Sequence, residues 1–242
     1  MDTTDDDYFA LSRQLVVPDD RPLRRRMRLL FDGIPLRGRS LLDVGGGSGL
    51  MSFYAASKGA SPVVCLEPAD AGSNPAMGET FSRWQVGLKV HVELVRQTFQ
   101  ELDPAETRYD VILVHNAINH MDEDACRRLP DDPEARRRYV SMFKKLADLT
   151  TPGGHLVVAD AARKNAWGAA GLRSPFAPTI EWDIHAQPRT WAQLAEEAGF
   201  GNSSVQWRSH DRLGAAGQRL LGNPVGGWLT NSSFILHMRR AA

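Results

Sequence analysis

Apolar positions in this chain alternate between short unbroken runs and stretches with helical spacing. In PLRRRMRLLF, Leu23, Met27, Leu30 and Phe31 fall on one helical face with arginines on the other, and Gly33 follows as a stop. Ser40, Leu41, Leu42 and Val44 make a buried-strand run, and Leu50 to Lys58 reads as a helix closing at Gly59. PVVCLEP predicts a second strand ending at Glu67. SNPAMGETFSRW predicts a helix capped by Asn74 with Pro75 in its first turn. KVHVELVRQ alternates as a third strand and YDVILVHNA runs unbroken as a fourth. DPEARRRYVSMFKKLADL places Tyr139, Met142, Leu146 and Leu149 on one helical face. TPGGHLVVAD predicts a glycine turn and a fifth strand, PRTWAQLAEEAGF a helix ended by Gly199, and SSVQWRS and SSFILHM two final strands. Strands alternating with helices of this size call for an α/β fold, a mostly parallel sheet with helices on both faces.

Two segments break the pattern. Residues 161–187 and 211–230 are long connections without periodicity, and loops of that length usually bind or cover something. No internal repeat appears. With 242 residues and no linker-like shift in composition, 1–242 reads as one domain: a helical cap at 1–37, a ligand-binding core at 38–160, and the two long insertions as a lid.

Charge narrows the partners. The 29 basic and 29 acidic residues cancel, which removes the general attraction that nonspecific nucleic-acid binding relies on. The start MDTTDDDYF is acidic rather than basic-then-apolar, and no apolar run approaches the roughly 20 residues of a membrane span. Cys65 and Cys126 form no disulfide framework. The expectation is a soluble cytoplasmic protein without nucleic-acid or membrane partners. Oligomeric state is open.

The densest signal is LLDVGGGSG, residues 41–49, with four glycines among five positions. A glycine in regular structure costs roughly 0.5–1 kcal/mol, so such a cluster needs a use. A strand running through glycines into a helix lets backbone approach a ligand closely, and ligands of such sheets lie beyond the carboxyl ends of the strands. Those ends carry Asp43 with Gly45, Gly46 and Gly47; Glu67 with Pro68; and His115, Asn116 and His120. Glu67 stands 20 residues after Gly47, where an acid can accept ribose hydroxyls. The dinucleotide pattern G-x-G-x-x-G fails: counting from Gly45 the last position is Leu50, and from Gly47 it is Ser52. Asp43 would also repel a pyrophosphate and suits a ligand carrying positive charge.

LLDVGGGSG, CLEP and LTTPGGHLVVAD, in this order and spacing, resemble the class I S-adenosylmethionine-dependent methyltransferases, and TWAQLAEEAGF and SSFILHMRR resemble that family's late helix and last strand. The resemblance covers roughly residues 38–206. It implies a Rossmann-like sheet of seven strands with the last antiparallel, and S-adenosylmethionine across the first strand ends, with S-adenosylhomocysteine as product. By that resemblance Asp43 faces the methionine amino group, Gly45, Gly46 and Gly47 the methionine and ribose, and Glu67, followed by Pro68, the ribose hydroxyls. His115 and Asn116 complete the cofactor set. Where the family often has an acid near adenine this chain has RQTFQEL, leaving Gln97, Thr98 or Phe99 for that contact.

A sulfonium donor carries its own activation, so the protein has mainly to align a nucleophile and exclude water. The two long connections and DYFALSRQLVV are the expected substrate walls, with Tyr8, Trp167, Trp182, His185 and Trp228 as candidate contacts; rings that merely pin loops are the alternative. An alcohol, phenol or acid acceptor profits from a base near neutral pKa. His120 is the first candidate, His115 and His185 the others, whereas His91, His155, His210 and His237 read as structural. Metal-ligand spacing, an N-P-P-Y-like run and a Pro-Cys nucleophile are absent. The expected function is methyl transfer to a small molecule, on oxygen before carbon or nitrogen, in specialised metabolism. The alternatives are a cofactor-binding protein without transfer (cyclase, partner subunit or sensor) and an NAD-dependent oxidoreductase.

Overall fold

The computed structural model describes residues 5–68, 75–104 and 107–242; the proposed cap Asn74 lies outside them. The chain packs as two compact units, 1–115 and 116–242.

The first unit opens with helices α1 (Asp5–Leu15) and α2 (Arg21–Leu30). It continues through β1 (Leu41–Val44), α3 (Leu50–Ser57), β2 (Val63–Leu66), α4 (Pro75–Leu88), β3 (Glu93–Val95) and β4 (Tyr109–His115). β1 runs parallel between β2 and β4, with Asp43 level with Cys65 on one side and Leu113 on the other. All four β1 residues are buried, which is why the run reads apolar on both faces. β3 is three residues long against the nine of KVHVELVRQ, pairing only Glu93 to Val95 with β2, and Lys89 ahead of it adopts a left-handed φ of 54°.

The second unit holds α5 (Glu123–Arg128), α6 (Pro133–Asp148), β5 (Thr150–Ala161), α7 (Ala166–Ala169), α8 (Pro188–Glu197), β6 (Phe200–Trp207), α9 (Gly214–Leu221), α10 (Pro224–Leu229) and β7 (Ser233–Arg240). β7 pairs antiparallel with both β5 and β6. The seven strands follow the order β3-β2-β1-β4-β5-β7-β6, the mostly parallel sheet with an antiparallel last strand that the resemblance implies.

Four expectations are corrected. α6 buries Phe143 rather than Met142, beside Tyr139, Leu146 and Ala147. The glycine turn ahead of the fifth strand is part of β5 itself. Residues 211–230 are not an irregular loop: α9 and α10 occupy them, with Asn223 capping α10 through Gly226 N–H at 3.0 Å and Pro224 in its first turn. α5 was not expected at all; Asp122 caps it through Ala125 N–H at 3.0 Å.

Tyr8 is the clearest reversal. It is fully buried, stacked on Trp84 at 5.1 Å and edge-on to Tyr54 at 5.2 Å, so it belongs to the core and not to a substrate wall. Its hydroxyl donates to the Leu50 carbonyl at 2.8 Å, which ties α1 to the first residue of α3, next to the glycine loop. Among the described residues no helix is long and apolar enough to cross a membrane.

Candidate active site

In the first unit the chain leaves β1 through Gly45 and Gly47, both left-handed at φ 70° and 57°, and enters α3 from Gly49 at φ 80°. Only glycine holds this turn without strain. Gly46 is needed for space: a Cβ there would meet Cys65 Sγ at 2.5 Å and Asp43 Oδ2 at 2.9 Å. The loop's amides turn inward. Gly45 and Gly46 N–H donate to the Leu66 carbonyl at 2.8 and 3.2 Å, Gly49 N–H to the Gly46 carbonyl at 2.9 Å, and Gly47 N–H to Glu67 Oε2 at 2.9 Å. A loop built to cradle a pyrophosphate aims such donors at the ligand; this one has committed them to its own chain.

Asp43 is 1% exposed. Its Oδ2 accepts from Ser52 Oγ at 2.7 Å, while Oδ1 is buried with no hydrogen-bond partner. Burial, helped by the Glu67 charge, pushes its pKa up to about 6 against the Ser52 hydrogen bond that lowers it. An orphaned carboxylate oxygen invites a cationic donor, and a neighbouring carboxylate already oriented by Gly47 suits hydroxyl groups. Ser52 escaped the sequence reading because a lone serine in an apolar helix resembles filler. Cys65 is no nucleophile: burial drives its thiol pKa well up.

The remaining cofactor candidates are more scattered. Pro68 is half-buried beside Glu67, and His115 is half-buried at the end of β4. Thr98 is committed locally, its amide and hydroxyl bonding Glu101 Oε2 at 2.9 and 2.8 Å, which leaves buried Phe99 as the apolar surface of that stretch. In the second unit Asn116 takes a left-handed φ of 52° and donates its N–H to the Ala159 carbonyl at 2.8 Å.

The three base candidates part company. His120 is exposed, its Nδ1 2.7 Å from Glu123 Oε1 on the surface. His185 is buried, and its Nδ1 lies 3.0 Å from Oδ1 of Asp160, a carboxylate 4% exposed at the end of β5. A carboxylate on Nδ1 fixes the ring and leaves the Nε2 lone pair to act.

The backbone around His185 is fastened as well. Arg163 Nε donates to the His185 carbonyl at 2.6 Å, and its other nitrogens reach the carbonyls of Asp183, of Cys126 at 2.7 Å and of Arg127 at 3.3 Å. Cys126 Sγ donates to the Ile184 carbonyl at 3.0 Å. Asp160, Arg163 and Cys126 carry no local motif that marks them as partners of the His185 segment, from which 22 to 59 positions separate them.

Among the wall candidates, the Trp182 ring stands 6.4 Å from the His185 ring. Trp167 donates its indole N–H to the Leu229 carbonyl at 3.0 Å and so pins α7 to α10, while Trp228 is 44% exposed. Among the described residues no group of three or more His, Cys, Asp and Glu could hold a metal ion.

A family model described as a methyltransferase domain matches residues 18–205. The chain belongs to the S-adenosylmethionine-dependent methyltransferases. Its cofactor is S-adenosylmethionine. The methyltransferase is 30% identical over 143 residues to a ubiquinone biosynthesis O-methyltransferase of Marinobacter nauticus, a match covering 58% of this chain and 50% of that one. The chain thus spans about half the length of that curated relative. Its fold is that of an S-adenosylmethionine-dependent methyltransferase of Mesorhizobium loti, at TM-score 0.59 and 16% identity over 90% of this chain and 98% of the other. It is also that of the [4+2]-cyclase SpnF, at TM-score 0.57 and 17% identity over 91% and 80%. One fold therefore hosts different chemistries, and the argument for this methyltransferase's reaction has to come from its site.

Proposed function

We propose that this chain, acting as one domain in the cytoplasm, transfers a methyl group to an oxygen of a small organic molecule in specialised metabolism. When bound, S-adenosylmethionine supplies a methyl group already activated by its sulfonium. Asp43 Oδ1 would take the cofactor's ammonium, Glu67 its ribose hydroxyls, and the surface of Phe99 its adenine ring. His185 would accept the proton of an acceptor hydroxyl at Nε2, while Asp160 holds the ring and stabilises the cation that forms. The observation that carries this reading is the buried Asp160–His185 pair at 3.0 Å, which favours His185 over His120. Two free cysteines, both buried, suit a reducing compartment.

The test uses labelled cofactor with a panel of phenols, organic acids and amines. His185→Asn is expected to lower turnover by about 10²–10⁴ while S-adenosylhomocysteine binding, read by calorimetry, is unchanged. Undiminished turnover in that variant removes His185 from the reaction. Binding without transfer across the whole panel would favour a non-transferring protein, and thermal stabilisation by NADH alone would favour an oxidoreductase.

A further inference from the structure

Within the second unit, residues 172–174 and 177–182 fold around an open cavity of about 450 Å³. That volume lies in the range of roughly 300–1,000 Å³ typical of small-molecule sites and suits a ligand with a single ring. Its inner wall is Trp182, the residue whose ring stands 6.4 Å from His185. This wall is fixed from both sides: Arg127 pairs with Asp183 at 2.9 Å and with Glu181 at 3.1 Å, and Arg163 bonds the Asp183 carbonyl. The outer wall, Leu172 to Ile180, is irregular chain, braced at Ser174, which is 1% exposed and accepts the Phe176 N–H at 3.2 Å.

The lining carries two charges, Arg173 and Glu181. Glu181 is offset by Arg127, whereas Arg173 makes no hydrogen bond or ion pair among the described residues. Arg173 is thus the lining charge with no ion-pair partner among the described residues, and the flat apolar surface beside it is the Trp182 indole. We infer that this cavity binds a compact planar organic acid, its carboxylate on the Arg173 guanidinium and its plane against Trp182. His185 is not among the lining residues, so the inference stands on the lining itself and goes beyond the transfer reading above.

Calorimetry on the full chain saturated with S-adenosylhomocysteine tests it. The probes are hydroxybenzoates, hydroxycinnamates and short aliphatic hydroxy acids, each compared with its own neutral carboxamide. A single-ring acid is expected to bind about tenfold more tightly than its amide, a preference that weakens as salt is raised. Arg173→Gln, at an exposed position that folding does not need, should abolish the preference and leave amide binding as it was. Trp182→Ala should weaken acid and amide alike. Equal binding of acid and amide, no acid bound at about 10 mM, or a preference that survives Arg173→Gln would overturn the inference. The readout is binding, so it fails or stands independently of transfer: an intact preference with a fully active His185→Asn would remove the base and leave the cavity its ligand.

Discussion

Asp43 holds its charge at a cost. Its folded pKa of about 6 lies above the 3.8 of a free aspartate, so the unfolded chain ionises first as pH rises. The folded state then loses stability between about pH 4 and pH 6, on the order of 3 kcal/mol in all, and gains it back on acidification. Asp43→Asn removes this dependence. Its melting temperature relative to the parent is expected to climb as pH rises from 4 to 6 and to level off above, in the absence of cofactor; a pH-independent difference would show that the carboxyl ionises as freely folded as unfolded. The same ionisation governs binding. Only the carboxylate can hold an ammonium, so affinity for S-adenosylhomocysteine should fall as pH drops through about 6, with a proton released on binding below that pH. At this scale the glycines, Asp43 and Glu67 could be read from the chain because they are neighbours in it or sit at a known spacing. Ser52 and the Asp160–His185 pair could not, since each depends on a side chain brought back by the fold from a stretch with its own apolar rationale.

The element that carries His185 is a short turn, Trp182–Ile184, with little hydrogen bonding of its own. Arg163 supplies what it lacks and, in bonding the Cys126 and Arg127 carbonyls, also complements the C-terminal end of α5. Arg163→Met should lower stability by about 2–3 kcal/mol, since it leaves several carbonyls unpaired, and hydrogen exchange should quicken at 182–186 before it does in β5. Arg163→Lys is expected to recover little, because an ammonium cannot reproduce the forked set of donors. Unchanged exchange at 182–186 in both variants would mean the turn holds itself. Long elements with steady periodicity, such as α6 and β4, were legible from the pattern. The misses were short: α5 and α10 rely on capping by Asp122 and Asn223 more than on an apolar face, and α9 and α10 contain four glycines between them that read as loop.

For the molecule as a whole the formal charge is zero and the isoelectric point near 7.1. Solubility of this chain is expected to be lowest near pH 7 and to rise on either side, which a precipitation series at fixed salt would check. Leu220, Val225, Trp228 and Leu229 expose apolar surface on α9 and α10, so a Val225→Lys variant should flatten that minimum. The family was recognisable because three separated motifs kept their order, information that survives when most surface positions change. The cavity at 172–182 left no such trace, since its lining comes mostly from irregular chain.

The inward-facing amides of the glycine loop have a cellular consequence. A turn that closes on itself needs no guest to fold, so little disorder is surrendered when one arrives. It also offers few hands to phosphate, and the nucleotides that crowd a cell, ATP and NAD among them, should be poor rivals for the seat.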